Sequence, residues 1–299
     1  MITLRQLRYF QALAETLHFG RAARLLNVSQ PALSGQIAAL EEVLGLRLFE
    51  RRASGVAATP EAGSILQRVD AILAEVRELE ALAQRPGDVL AGRLRLGLIA
   101  TVAPYLLPRL LPRLAHDHPQ LDLAIRESLT AALVADLQAG ELDCALVALP
   151  LDAAGLDWIE LGADPFWLAV PAREAGRFGD HVEVQALSHE PLILLEEGHC
   201  LRDQALKLCQ LAESSRFASL SATSLATILR MVAGGLGATL IPAIAIEAET
   251  AAGGIEVLPF RDPQPSRTLV LAFRRSSTRR RDIEALAEVV RRSLCGRPA

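Results

Sequence analysis

Asn27-Val28-Ser29-Gln30-Pro31-Ala32-Leu33-Ser34 is the stretch on which the fold of the first part of the chain turns. Asn27-Val28-Ser29 reads as a tight turn. Ser29 is a good N-cap, and Pro31 suits the first turn of a helix, where a missing N–H costs nothing. From Gln30 the helical pattern runs to Leu44, with Ile37 and Leu40 turned inward, and Gly45 closes it.

Upstream, Leu4, Leu7, Phe10, Leu13 and Ala14 share one face of a helix over 4–16. Ala22, Ala23, Leu25 and Leu26 mark a second over 19–26. Two short helices, a three-residue turn and a capped third helix make a helix-turn-helix unit. An ordinary three-helix bundle has the same pattern, but residues 46–59 favour the first reading. Leu46-Arg47-Leu48-Phe49-Glu50-Arg51-Arg52, then Ala53-Ser54-Gly55 and Val56-Ala57-Ala58-Thr59, reads as a hairpin wing. Arg51 and Arg52 are placed there to meet phosphates, contacts that position a protein on DNA without reading sequence. Gln30, Pro31, Ala32, Ser34 and Gln36 stand at the start of the third helix. The small and amide side chains among them fit a major groove and can touch base edges.

Charge agrees with this placement. The whole chain carries a net charge of −4, so no global basic field advertises a nucleic-acid partner. Residues 1–59, however, hold seven arginines against four glutamates, leaving the N-terminal fifth positive and the remainder negative.

Thr59-Pro60-Glu61 repeats the helix-start signal. Ile65, Val69, Ile72, Val76, Leu79 and Leu82 then recur at near-heptad spacing. Such a stripe asks for a partner helix, most simply its own copy, although packing on its own domain is the alternative. Arg85-Pro86-Gly87-Asp88 ends it as a hinge. From Gly92 strands alternate with helices: 94–100, 121–127, 144–149, 167–170, 192–195, 238–241, 255–259 and 268–273, with a last helix over 279–294. Alternation of this kind means an α/β sheet covered on both faces. About 205 residues is generous for one sheet, so two lobes with a ligand cleft between them are expected. The domains are then 1–59, a linker helix and hinge over 60–91, and a two-lobed regulatory part over 92–299.

Met1-Ile2-Thr3-Leu4-Arg5 starts no signal peptide. The longest uncharged run, Met231 to Ile246, has 16 residues and is broken by three glycines and a proline, so no membrane span is expected. Four cysteines in 299 residues make no structural disulfide framework. A cytoplasmic location is therefore expected, where thiols rest reduced. No metal and no cofactor are expected.

Two of those cysteines stand in Glu197-Gly198-His199-Cys200-Leu201-Arg202-Asp203-Gln204-Ala205-Leu206-Lys207-Leu208-Cys209. Cys200 opens a helical segment, and a thiol gains reactivity at a helix start. His199 and Arg202 can add positive charge beside it. In a continuous helix the Cα atoms of Cys200 and Cys209 lie ~13.5 Å apart. A bond between them, which needs roughly 7 Å, would require the helix to unwind. Taken alone, the pair is either a redox switch or two unrelated small hydrophobes.

A family resemblance separates these readings. Phe10-Gln11-Ala12-Leu13-Ala14, Phe19, Ala22-Ala23, Val28-Ser29-Gln30-Pro31-Ala32-Leu33-Ser34, Leu40-Glu41, Gly45, Leu48-Phe49 and Arg51 resemble the LysR-type transcriptional regulators. Within that family the chain is most similar to the OxyR hydrogen-peroxide sensors. The similarity lies in 97–108, Leu142-Asp143-Cys144, Gly198-His199-Cys200-Leu201-Arg202-Asp203-Gln204-Ala205, Ala222-Thr223-Ser224-Leu225 and Arg267-Thr268. The resemblance implies a winged helix-turn-helix, a linker helix and a two-lobed effector domain like the periplasmic binding proteins. It implies Cys200 as the peroxidatic thiol and Cys209 as the resolving one, joined by a disulfide on oxidation. Thr101, Thr130, His199, Asp203 and Arg267 would line the peroxide pocket. The implied partners are double-stranded promoter DNA, hydrogen peroxide, further copies of the chain as a dimer of dimers, RNA polymerase, and a glutathione- or glutaredoxin-type reductant. The implied role is transcription regulation in oxidative stress, not enzymatic turnover.

One position departs from the pattern: many relatives carry a histidine where this chain has Ser219. Cys144 lies in an apolar strand and reads as core. Two rivals keep their own signatures. A LysR-type regulator sensing a small metabolite would make both cysteines incidental. A thiol peroxidase would leave the arginine-bearing N-terminal helices without a role.

Overall fold

The computed structural model describes residues 1–52, 55–83, 89–209 and 220–295, without the side chains of residues 51, 52, 78, 81–83, 186, 188, 189, 209 and 295. The chain divides into two compact units, the first built mainly from Met1–Gln84 and the second holding most of the rest.

In the first unit, α1 (Leu4–Thr16) opens on a reciprocal cap. The Thr3 hydroxyl accepts from the Gln6 N–H at 3.3 Å, and Gln6 Oε1 accepts from the Thr3 N–H at 2.9 Å. After α2 (Phe19–Leu25) the chain turns at Asn27, whose φ is 54°. α3 (Gln30–Leu44) starts on Ser29, whose Oγ accepts from the Ala32 N–H at 3.3 Å. Phe10, Leu13, Ala22, Leu33 and Leu40 are fully buried in the core of this unit. β1 (Phe49–Arg52) and β2 (Gly55–Ala58) form the expected antiparallel wing, with Phe49 opposite Ala58. Glu41 Oε1 accepts from the N–H groups of Leu48 (2.7 Å) and Phe49 (3.1 Å), fastening the wing to α3. The wing's turn at Ala53-Ser54 and the side chains of Arg51 and Arg52 lie outside the described residues.

α4 (Pro60–Ala83) corrects one expectation. The apolar stripe is not a single seam. Val69 is 3% exposed and joins Ala62 and Leu73 inside the unit's own core, where the Gln11 side chain also donates to Asp70 Oδ1 at 2.7 Å. Ile72 and Leu79 are 46% and 68% exposed. On a helix of 3.6 residues per turn, positions 62, 69 and 73 face the bundle and Ile65 is half-buried at its edge, whereas 72 and 79, seven residues apart, lie on the outward side. The side chain of Leu82 and the hinge over 85–88 fall outside the described residues.

The second unit is an α/β sheet with two cores. β3 (Gly92–Ile99), α5 (Ala103–Asp117), β4 (Leu121–Ser128), α6 (Thr130–Ala139) and β5 (Cys144–Ala148) come first, with β3 parallel to both β4 and β5. β6 (Leu156–Pro171) then runs for 16 residues and leaves one core for the other. Its first part pairs with β11 (the return strand, Ser266–Arg274) and its last part with two further strands. Between β6 and β11 lie β7 (Leu194–Leu195), α7 (Cys200–Cys209), β8 (Ser221–Ala222), α8 (Leu225–Ala233), β9 (Thr239–Pro242), α9 (Ala243–Thr250) and β10 (Ile255–Pro259). α10 (Arg280–Cys295) closes the chain's described part against the first core.

The first core gathers Leu94, Leu96, Leu98, Leu106, Leu110, Leu146 and Phe273; the second gathers Phe166, Leu168, Ile193, Leu201, Ile228 and Leu240. The chain therefore crosses between lobes twice, through β6 and back through β11. Sequence pattern located only the end of the outgoing strand. Gly162, Asp164 and Pro165 imitate a turn, but here they lie within one continuous strand, next to a register shift between Leu269 and Val270. β8, a two-residue strand, has no pattern to read.

Candidate functional site

β3 and β4 end side by side, and the residues after them meet the start of α7. Ile99, Ala100, Thr101, Ser128, Leu129, Thr130, Gly198, His199 and Cys200 enclose one cavity of about 10 Å³. That leaves room for only a very small guest, far below the roughly 300–1,000 Å³ of a typical ligand pocket. Three helices begin at or just beyond its wall: α5 at Ala103, α6 at Thr130 and α7 at Cys200. Their unpaired N–H groups and dipole ends bring partial positive charge to one point, the carboxyl edge of a parallel pair of strands. Gly198 holds the backbone at φ 91°, and a Cβ there would come within 3.0 Å of Leu129, so the wall closes only with glycine.

Two hydroxyls face this space in different states. Thr130 Oγ1 is buried without a hydrogen-bond partner among the described residues. An orphaned buried hydroxyl costs free energy unless a guest satisfies it. Thr101 is 3% exposed, and its Oγ1 accepts from Arg267 at 2.8 Å, which leaves its own O–H free to donate. Arg267 is itself buried. Its guanidinium also donates to the Thr101 carbonyl at 3.2 Å and lies against Asp164 Oδ2, with Nε at 3.0 Å and Nη2 at 2.9 Å.

Cys200 is half-buried, a free thiol at the first position of a continuous α7. The helix is held by the Arg202 guanidinium, which donates to the Leu195 carbonyl at 2.9 Å, and by the Gln204 amide, which donates to the Leu149 carbonyl at 3.1 Å. Asp203 is exposed in the first turn and is not among the cavity-lining residues. His199 changes its expected role. Burial pushes its pKa below the ordinary histidine value, outweighing the nearby Glu196, so at neutral pH it stands as a neutral ring rather than a cation beside Cys200. Cys209 ends the helix, and its side chain, like Ser219, lies outside the described residues. Cys144 shows the contrast. It has no exposure, sits in the first core, and burial with neighbouring Asp143 drives its thiol pKa far upward.

The structure thus brings Thr101, Thr130, His199 and Cys200 around one cavity, connects Arg267 to it through Thr101, and leaves Asp203 outward. Sequence reading missed Asp164. An acid set in the run Leu161-Gly162-Ala163-Asp164-Pro165-Phe166 was the available signal, because a carboxylate between apolar neighbours needs a partner. On the first unit, Gln30, Pro31 and Ala32 are exposed at the start of α3, while Ser34 and Gln36 are half-buried. Gly35 and Ala38 are exposed on the same face, and a Cβ at Gly35 would meet open space.

Residues 4–63 match the bacterial regulatory helix-turn-helix protein model of the lysR family, and residues 87–295 match the LysR substrate binding domain. The chain is 42% identical over 295 residues to the probable hydrogen peroxide-inducible genes activator of Streptomyces viridosporus, covering 98% of this chain and 94% of the relative. It is 39% identical to the DNA-binding transcriptional dual regulator OxyR of Escherichia coli K12, covering 99% and 97%. Among solved structures, a cysteine-to-aspartate variant of full-length OxyR from Pseudomonas aeruginosa superposes with a TM-score of 0.76 at 39% identity, covering 97% of this chain and 98% of that one. A cysteine variant of Corynebacterium glutamicum OxyR with hydrogen peroxide bound gives 0.66 at 35%, covering 97% and 94%.

Proposed function

The chain belongs to the LysR family of bacterial helix-turn-helix regulators, and from that membership we propose that it is a DNA-binding transcriptional regulator switched by hydrogen peroxide at Cys200. The observation that carries this reading is the cavity itself: very small, walled by a half-buried thiol, and holding a buried hydroxyl without a partner among the described residues. A small-molecule pocket for a metabolite takes roughly 300–1,000 Å³. A guest here has to be very small, and the hydroxyls on the wall suit one that both donates and accepts hydrogen bonds.

Peroxide fits that description. Thr101 donates to one oxygen, and Thr130 exchanges a hydrogen bond with the other. The Cys200 thiolate attacks the nearer oxygen, the O–O bond breaks, and hydroxide leaves toward the converging helix starts and takes up a proton to become water. Cys200 is then a sulfenic acid. The Cys209 thiol condenses with it, forming the S–S bond and releasing a second water. Because α7 is continuous between the two cysteines, that bond requires the helix to unwind. The conformational signal is this loss of helix. Thiol–disulfide exchange with glutathione or a glutaredoxin returns both thiols.

On the DNA side, α3 enters a major groove with Gln30, Pro31, Ala32, Ser34 and Gln36 at its leading end, and Arg51 and Arg52 on the wing meet phosphates. Ile65, Ile72 and Leu79 form the seam of a dimer, and two dimers make a tetramer. The protein acts in the cytoplasm with RNA polymerase and is not an enzyme. Among the described residues no helix is long and apolar enough to cross a membrane.

The metabolite-sensing alternative has one observation in its favour. An open groove of about 680 Å³ is lined by Leu149, Pro150, Trp158, Gln204 and Lys207, and Gln204 Oε1 is buried without a partner among the described residues. Thiol titration after one equivalent of peroxide, with promoter-duplex binding read on the same sample, separates the two. The peroxide reading expects two thiols lost per chain and an altered DNase footprint; four retained thiols and an unchanged footprint would leave the metabolite reading standing.

A further inference from the structure

Arg267 and Asp164 face each other across the two strands that cross between the lobes, in direct register on β11 and β6. Their side chains are 0% and 5% exposed. The pair is more than a neutralised charge. Each partner has a second engagement, and the two engagements lie in different lobes. Arg267 holds Thr101, at the end of the first lobe's central strand, through both the hydroxyl at 2.8 Å and the carbonyl at 3.2 Å. Asp164 Oδ1 accepts from the Ile244 N–H at 3.1 Å, at the start of α9 in the second lobe.

A buried guanidinium has several ways to spend its donors, and only one of them directs the Thr101 hydroxyl. Asp164 fixes which. With Oδ2 against Nε and Nη2, the remaining Nη1 donates to Thr101 Oγ1. A hydroxyl that accepts from a cation has its own hydrogen turned away from that cation, so the Thr101 O–H is left to donate elsewhere. Thr101 is a wall of the cavity.

We propose that Asp164 is a positioning residue for the Cys200 site: it sets the Arg267 guanidinium so that Thr101 presents its O–H to the peroxide, and it ties that orientation to α9. This rests on the peroxide reading of Cys200. Asp164 touches neither the thiol nor the guest. Its effect is confined to reactions that use the cavity, which separates it from a residue that only supports the fold.

The test uses the full-length reduced protein and two reagents for the same thiol. Both react with the Cys200 thiolate; hydrogen peroxide needs the oriented cavity as well, whereas iodoacetamide, a neutral alkylating agent, needs only access to the sulfur. Asp164→Asn is expected to slow oxidation of Cys200 by peroxide about tenfold to a hundredfold, the range a misplacement of about 1 Å produces. Alkylation of Cys200 should stay within about twofold. Thr101→Val should slow peroxide comparably, and the double variant should be no slower than Thr101→Val alone, because both changes remove one interaction. Additive losses, equal losses with both reagents, or no loss would overturn the proposal. If Asp164→Asn does not fold, Asp164→Glu keeps the charge but moves the carboxylate by one methylene, and the same split between reagents is required of it. A wild-type Cys200 no faster with peroxide than Cys144 would instead remove the peroxide reading itself. A fast wild type with an unaffected Asp164 variant removes only this inference.

Discussion

The DNA-reading unit and the cavity at Cys200 are assembled in opposite ways. The first unit is made of contiguous signals. Cap, turn, proline and apolar face succeed each other within a few residues over α1 to α3, and only α4 returns from further along the chain to pack on α1. The cavity is made of three short segments, 99–101, 128–130 and 198–200, that share nothing in sequence but the end of a strand or the start of a helix. Locally encoded structure tolerates change one element at a time. A site convened by topology depends on every strand end being in register, so its chemistry should be more sensitive to remote substitutions such as Asp164→Asn.

Separability of the two regions is the sharpest consequence, and the largest effects test it first. Cys200→Ser should abolish peroxide-dependent change in DNA binding altogether, while duplex affinity in the reduced state stays within about twofold of wild type, since the substitution lies in the other compact unit. Gel shifts with and without peroxide read both. Leu79→Asp should do the reverse. A charge at a 68% exposed apolar position costs the folded chain little but blocks a helix seam. Oligomer size and DNA affinity should fall by an order of magnitude or more, with Cys200 oxidation unaltered; light scattering and stopped-flow fluorescence measure the two. Full-sized oligomers from Leu79→Asp would show that this face of α4 pairs with nothing.

Smaller effects sharpen the comparison within the cavity. Thr130→Val keeps the shape and removes the hydroxyl that has no partner among the described residues. Losing one hydrogen bond to the guest, about 1–1.5 kcal/mol, should slow peroxide oxidation roughly tenfold while making the resting protein slightly more stable. Arg51→Ala should weaken binding to all duplexes alike and reduce the slope of log affinity against log salt by about 1. The least effect is expected at His199. Its folded pKa is depressed by burial, so its contribution to stability is complete above the unfolded value of about 6.5 and is lost as pH falls through the lowered folded value. His199→Gln should therefore lose less melting temperature than wild type between pH 7 and pH 5. A larger loss in the variant would mean that the ring is charged when folded.

Much of the architecture was legible in the sequence. The bounds of α1, α3 and α4 could be read because caps and glycines mark them, and the strand–helix alternation pointed to the two-lobed sheet. The first half of β6 was not legible, since Gly162, Asp164 and Pro165 are turn residues used at a crossing. Likewise, periodicity could not say that Val69 belongs to the core while Ile72 and Leu79 face outward; that depends on where α1 lies. At the site, the run around Cys200 was plain in sequence. The apolar strand around Cys144 already marked that thiol as core, as its complete burial bears out, but nothing in the sequence around His199 showed that burial lowers its pKa.

The contrast between those two cysteines gives the most direct measurement. Reduced protein is treated with one equivalent of dilute peroxide, quenched by alkylation, digested, and its cysteine-containing peptides are mapped by mass. A Cys200–Cys209 disulfide as the principal product, with Cys144 recovered as an alkylated free thiol, is the predicted result. Oxidation spread evenly across the four cysteines, or a disulfide that includes Cys144, would contradict the account.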